Sequence, residues 1–157
     1  MENKPLRYRK HIRLKDYDYS SDGAYFITIN ANKKQLLINS KYKEIIETEL
    51  EDLENRFSGV SLDYYVVMRD HIHFILILDN SEATIPRIMQ AYKSLTTLKI
   101  KKAGYSGKRF WQPNYYEHIV RNEKALGRIR QYIVNNPLAE ELNWREIEEQ
   151  VTRLSVK

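Results

Sequence analysis

Val66-Val67-Met68-Arg69-Asp70-His71-Ile72-His73-Phe74-Ile75-Leu76-Ile77-Leu78 is the stretch that decides the fold. It reads as two β-strands joined by a tight turn near Arg69-Asp70, the second running from His71 to Leu78. Successive side chains of a strand point to opposite faces. His71, His73, Ile75 and Ile77 therefore share one face, and Ile72, Phe74, Leu76 and Leu78 the other. Apolar residues on both faces mark a central strand. Two imidazoles side by side at the mouth of such a strand are costly to bury unless something uses them. Neutral imidazole is a common ligand of divalent metals, and a spacing of two aims both rings at one point. His-x-His also occurs as an ordinary structural or exposed pair, so these three residues alone leave both readings open.

The remaining composition narrows the class. The chain has 157 residues, the size of one domain with a single core. It has no cysteine, which removes disulfides, thiolate zinc sites and cysteine nucleophiles. No apolar run follows Met1-Glu2-Asn3-Lys4-Pro5 as a signal peptide requires. The longest apolar run, Phe74 to Leu78, is far short of the ~20 residues that span a bilayer. A formal net charge of +5 and a pI near 9.3 favour a polyanionic partner, nucleic acid first. The 12 tyrosines suit base-stacking platforms or an amphipathic core rim.

Outward from the central stretch, residues 1–19 form a basic arm with interleaved tyrosines, expected to be irregular or partly extended. Arg7, Arg9, Lys10 and Arg13 are its candidate phosphate contacts, and a solvated tail is the equal alternative. Ala24 to Asn30 reads as the first strand. Leu36-Leu37-Ile38 adds a short strand or covers the core. Ser40 is a plausible N-cap for a helix whose stripe is Ile46, Leu50, Leu53 and Phe57, with Glu47, Glu49, Glu51 and Glu54 mostly outside it. Val60 to Met68 and His71 to Leu78 pair as a hairpin. Thr84 caps a second helix with Pro86 in its first turn, and Ile85, Ile88, Tyr92 and Leu95 line its core face. Lys93, Lys99, Lys101 and Lys102 on this helix, with Lys108, Arg109 and Trp111 after it, form a candidate phosphate-and-stacking surface. A solvated charged face is the plain alternative. Tyr115 to Arg121 is a fourth strand. Asn122 caps a third helix striped by Ala125, Ile129, Tyr132 and Asn136, and Pro137 ends it. Asn143 to Thr152 reads as a short terminal helix. Strand, helix, strand, strand, helix, strand, helix gives an α+β fold: a ferredoxin-like βαββαβ antiparallel sheet with helices on one face, plus a C-terminal helix.

Tyr132 and Asn136 lie at i and i+4, on one face of the third helix. If that helix packs across the sheet, both point at the histidines: Tyr132 as a nucleophile, Asn136 as an oxygen-donating third metal ligand. The alternative is a packed core tyrosine and a C-capping asparagine.

Several motifs in this order resemble a known family. They are Tyr17-Asp18-Tyr19 leading to Gly23-Ala24-Tyr25-Phe26-Ile27-Thr28, Val67-Met68-Arg69-Asp70-His71-Ile72-His73, and Lys93-Ser94-Leu95. The longest runs from Trp111-Gln112-Pro113-Asn114-Tyr115-Tyr116-Glu117-His118 to Arg121-Asn122, continuing to Tyr132-Ile133-Val134-Asn135-Asn136-Pro137. The chain is similar to the single-tyrosine transposases of the HUH superfamily, in particular the REP-associated tyrosine transposase branch, over about Arg9 to Leu142. The resemblance implies one HUH transposase domain over 1–157, with residues 1–19 as its arm. It implies His71, His73 and Asn136 as ligands of a divalent metal, Mg2+ or Mn2+, and Tyr132 as the catalytic residue. Tyr115 and Tyr116 match structural positions, and His118 is taken as structural or DNA-facing. The implied reaction is transesterification of single-stranded DNA through a 5′-phosphotyrosine, without a nucleotide cofactor. The implied partners are single-stranded or hairpin DNA and, in some members, a second subunit as a homodimer; no membrane is involved. The expected location is the cytoplasm, on the bacterial nucleoid. Two other readings stand beside it: a domesticated hairpin-binding protein that does not cut, and a hydrolase using His71, His73, His118 and water.

Overall fold

The structure is a computed structural model, and it describes residues 9–10, 22–37, 40–120 and 122–135. Among the described residues there are five strands: β1 (Arg9–Lys10), β2 (Gly23–Asn30), β3 (Val60–Val67), β4 (His71–Leu78) and β5 (Tyr116–Val120). The helices are α1 (Lys43–Glu51), α2 (Leu53–Arg56), α3 (Ile85–Lys102) and α4 (Glu123–Asn135). The strand order is β1-β5-β2-β4-β3, every pair antiparallel. Without the two-residue β1, this is the order of the ferredoxin-like βαββαβ fold, with β2 and β4 in the middle. The expected architecture is thus the observed one, and the His-x-His strand is central.

The hairpin closes where the sequence places its turn: the Met68 N–H donates to the His71 carbonyl at 2.8 Å, across Arg69-Asp70. Register then assigns the faces, because directly paired residues project to the same side. His73, Thr28, Val66 and Tyr116 occupy one face, together with Phe26, Ile75 and His118. Ile72, Phe74, Leu76, Ile27 and Ile29 occupy the other. On this second face α1 and α3 supply Ile46, Leu50, Ile88 and Tyr92, all buried. Each such side chain contributes about 1.5–3 kcal/mol of burial. Tyr92 also donates its hydroxyl to the Ile46 carbonyl at 2.9 Å, tying α3 to α1.

Helix α4 begins at the expected cap, where Asn122 Oδ1 accepts the Ala125 N–H at 2.8 Å. Its buried stripe is Ala125, Leu126, Ile129 and Ile133. It packs against β3 on the histidine face, away from α1 and α3. Thr84 caps α3 by accepting the Arg87 N–H, with Pro86 in the first turn as expected.

Local details differ from expectation. Of the two alternatives for the arm, Arg9–Lys10 takes the extended one, pairing as an edge strand on β5 with Arg9 opposite Glu117. Ser40 does not cap α1, which starts at Lys43 behind Tyr42. Its hydroxyl donates to the Leu37 carbonyl at 2.6 Å and accepts the Tyr42 N–H, forming a turn just ahead of the helix. Leu37 covers the core without forming a strand, and Leu36 is exposed. Glu49 is buried rather than on the outer face of α1. Gly59, before β3, has φ of +79°, and a Cβ there would meet the Asp79 carbonyl oxygen at 2.4 Å, so only glycine fits. The terminal helix expected at 143–152 lies outside the described residues.

Candidate functional site

His71 opens β4 and His73 follows on the same face. Their ring centroids lie 4.7 Å apart at 70°. His71 Nδ1 is 2.7 Å from Asp70 Oδ1, and His73 Nδ1 is 2.7 Å from Thr28 Oγ1. Both contacts use Nδ1, so Nε2 is the nitrogen each ring can offer to a ligand. In that tautomer Nδ1–H donates to the Asp70 carboxylate and to the Thr28 hydroxyl. This is how a metal-bound imidazole is usually oriented from behind. Burial, then the neighbouring His71, hold the His73 imidazole well below its ordinary range. It is therefore neutral at pH 7, the form that ligates. Two imidazoles with supported Nδ1 atoms fit a divalent cation. Among the described residues no cluster of three His, Cys, Asp or Glu forms a metal cage. Asn136, the expected third ligand, lies outside the described residues.

Thr28 and Asp70 are functional candidates that sequence reasoning missed. Asp70 could have been found, as the carboxylate adjoining a candidate ligand. Thr28 could not, because only the β2–β4 register brings it to His73 from 45 positions away.

The three-histidine reading fails geometrically. His118 on β5 stands opposite Phe26 on β2, whereas His73 on β4 stands opposite Thr28. The two histidines are two strands apart, about 10 Å. The Phe26 ring stacks on His73 at 5.5 Å and also meets His118 at 6.3 Å. Burial pushes the His118 imidazole down to about 3, so it is a neutral core group.

Tyr132 lies on α4, half-buried, beside the apolar stripe that seats this helix on the histidine face. Tyr115 and Tyr116 are half-buried, and Tyr115 packs against the core.

The expected DNA-contact residues separate into two groups. Lys101, Lys102, Lys108 and Arg109 are exposed. With Lys93, Thr97, Leu98 and Pro113, three of these line an open groove of about 620 Å³. Trp111 is a correction. It is 3% exposed and its indole N–H donates to Thr96 Oγ1 at 2.8 Å, so it offers no face to a base. The Trp-Gln-Pro segment instead extends the sheet: Trp111 bridges Ala31, and the Gln112 N–H donates to the Asn30 carbonyl at 2.9 Å. Lys93 is another. Its ammonium donates to the Gln112 carbonyl at 2.5 Å and the Asn114 carbonyl at 3.3 Å, clipping this segment to α3. Lys99 pairs with buried Glu49, which Arg56 also contacts, so its charge is compensated. Arg9 and Lys10 lie in β1, where only their backbone is described; Arg7 and Arg13 lie outside the described residues.

Residues 20–136 match the family model described as "Transposase IS200 like". The chain belongs to the IS200-like transposase family. Its relatives place it in the REP-associated tyrosine transposase branch. It is 26% identical to the REP-associated tyrosine transposase of Escherichia coli, over 76% of this chain and 69% of that protein. It is 31% identical to an uncharacterized protein of Haemophilus influenzae, over 87% of this chain and 92% of the other. A solved REP-associated tyrosine transposase bound to a REP hairpin shares the fold, with a TM-score of 0.68 and 20% identity, over 85% of this chain and 76% of that one. This IS200-like transposase is accordingly a DNA-processing protein. None of its described helices is long and apolar enough to cross a membrane.

Proposed function

We propose that this transposase cleaves and rejoins single-stranded DNA by transesterification, with Tyr132 as nucleophile. The observation that carries the reading is the pair His71–His73, met at 4.7 Å with each Nδ1 supported, on the sheet face where α4 packs against β3. His71 Nε2, His73 Nε2 and the side-chain oxygen of Asn136 would hold the metal. Such an ion would draw charge from the scissile phosphate in the transition state and favour ionisation of a nearby phenol. Of Mg2+ and Mn2+, two imidazoles suit Mn2+ better, because Mg2+ prefers all-oxygen shells.

The step balances without a cofactor. Tyr132 Oη attacks phosphorus, the bond from phosphorus to the 3′-oxygen breaks, and the products are a 5′-phosphotyrosine and a free 3′-hydroxyl. The phenol proton leaves to water, and the departing 3′-oxygen takes one up. A free phenol is only about one part in a thousand ionised at pH 7, so the assistance is needed. Because one phosphoester replaces another, a 3′-hydroxyl reverses the step and joins strands. With one nucleophile per chain, two cleavages call for two subunits, as a homodimer, or two rounds. The relative solved with a REP hairpin supports hairpin-bearing DNA as partner; the bacterial nucleoid is the proposed location. Lys101, Lys102, Lys108 and Arg109, with the basic arm, are the proposed phosphate contacts.

The test mixes the protein with end-labelled, hairpin-bearing single-stranded DNA and Mn2+ or Mg2+, then resolves the products on a denaturing gel beside Tyr132→Phe. A metal-dependent adduct that vanishes in the variant supports the reading. Binding without an adduct favours a non-cutting hairpin binder, and cleavage that persists in Tyr132→Phe points to a water-using nuclease.

A further inference from the structure

The ladder between β3 and β4 carries a bulge. Leu62 pairs with Leu76 and Tyr65 with Phe74, so Asp63 and Tyr64 together stand opposite the single residue Ile75. In an unbroken ladder these neighbours would project to opposite faces; a bulge of this kind re-aims one of them. One side chain meets both. Arg130 of α4 donates from Nε to Asp63 Oδ2 at 2.6 Å and from Nη2 to Asp63 Oδ1 at 2.9 Å. Its guanidinium carbon also lies 5.8 Å from the centre of the Tyr64 ring. Asp63 is well covered, with 14% of its side chain exposed, whereas Arg130 keeps 33%.

Arg130 is two residues from Tyr132. At 100° per residue the two lie about 200° apart around α4, on opposite flanks of the apolar stripe. The stripe of Leu126, Ile129 and Ile133 holds the helix down, but non-directional contacts resist roll and slide weakly. A planar two-point contact resists both, because both N–H bonds fail together when the fork turns.

We propose that the Asp63-Tyr64 bulge is a docking socket for Arg130, and that this pair is a positioning device that fixes the roll of α4 and hence the direction of the Tyr132 hydroxyl. The proposal rests on the nucleophile reading above, and it makes Arg130 and Asp63 positioning residues rather than catalytic ones. A misplacement of about 1 Å in a reacting group costs on the order of 100-fold in rate.

The experiment compares wild type, Asp63→Asn, Arg130→Gln and the double variant, each with Mn2+. It measures single-turnover adduct formation at saturating hairpin DNA, the hairpin Kd, and amide exchange along α4. The expected result is a fall of about 10- to 100-fold in rate for each single variant. The double variant should be no slower than either single, Kd should stay within about twofold of wild type, and exchange across 129–135 should be faster. Loss of rate and DNA affinity in proportion, from a smaller folded fraction, would overturn the proposal, as would additive losses in the double variant. If wild type forms no adduct, the nucleophile reading falls by itself. The socket is then judged on exchange alone: faster exchange of α4 in both singles supports it, and unchanged exchange overturns it.

Discussion

The Thr28 hydroxyl and His73 Nδ1 lie 2.7 Å apart, both buried, across the two central strands of the sheet. Nothing local to either residue creates this contact; it follows from the register that sets Thr28 opposite His73. It holds the ring plane and occupies Nδ1, so the ring presents Nε2 to the site.

Thr28→Val keeps the shape and removes the oxygen. Losing an outer support of a ligating histidine typically weakens metal binding by about 10- to 100-fold. Calorimetric titration with Mn2+ should show a loss in that range while the thermal midpoint falls only modestly. An unchanged affinity would mean that His73 does not ligate through Nε2.

Trp111 predicts a stability effect and no recognition effect. Trp111→Phe removes the bond to Thr96 and leaves a small void, and costs about 1–3 kcal/mol. Urea melts should show that loss. The hairpin Kd of the folded variant should match wild type, whereas a stacking residue would lose affinity.

Lys108 and Arg109 should separate in salt dependence from Lys99, which is also exposed but paired with Glu49. Each phosphate contact to a single strand contributes about 0.7 to the slope of log K against log salt. Lys108→Ala and Arg109→Ala should each lower the slope by about that amount. Lys99→Ala should leave it unchanged and reduce stability, because buried Glu49 then loses one of the two cations that contact it among the described residues.

Lys93 predicts a pH effect. Burial, then the charge of Arg109, lower its ammonium to about 8. In the unfolded chain it titrates near ~10.4. Below about pH 8 both states are charged and the fold carries the full desolvation cost. Between about pH 8 and 10 the unfolded state holds the extra proton, so this group makes the fold more stable as pH rises. Urea melts of wild type and Lys93→Met should therefore diverge in favour of wild type from pH 8 to pH 10. Parallel curves would contradict the assignment.

How far the sequence was legible follows from what each signal depends on. Strand alternation is local, so the His71–His73 face and the central strand could be read directly, as could the caps Thr84 and Asn122. The Tyr132–Asn136 pair was legible as a spacing, but a spacing does not say what lies opposite. Trp111 looked like a stacking platform because it follows a basic run. Its burial depends on Asn30 and Ala31 pairing with the segment it belongs to, eighty residues away in sequence. Lys93 and Lys99 looked alike on one helix. Two backbone carbonyls claim the first and a buried carboxylate on α1 claims the second, and no helical period distinguishes them. The helical period puts Glu49 outside the stripe because a period assigns a face, whereas burial depends on the neighbouring helix.

Tyr132 is the residue proposed to form the covalent bond to DNA. The most direct measurement is mass spectrometry of the digested protein after reaction with hairpin-bearing single-stranded DNA and Mn2+, followed by nuclease trimming. A nucleotide-phosphate mass is expected on the peptide that contains Tyr132, and none without metal. The same mass on Tyr115 or Tyr116, or cut DNA with every tyrosine unmodified, would contradict it.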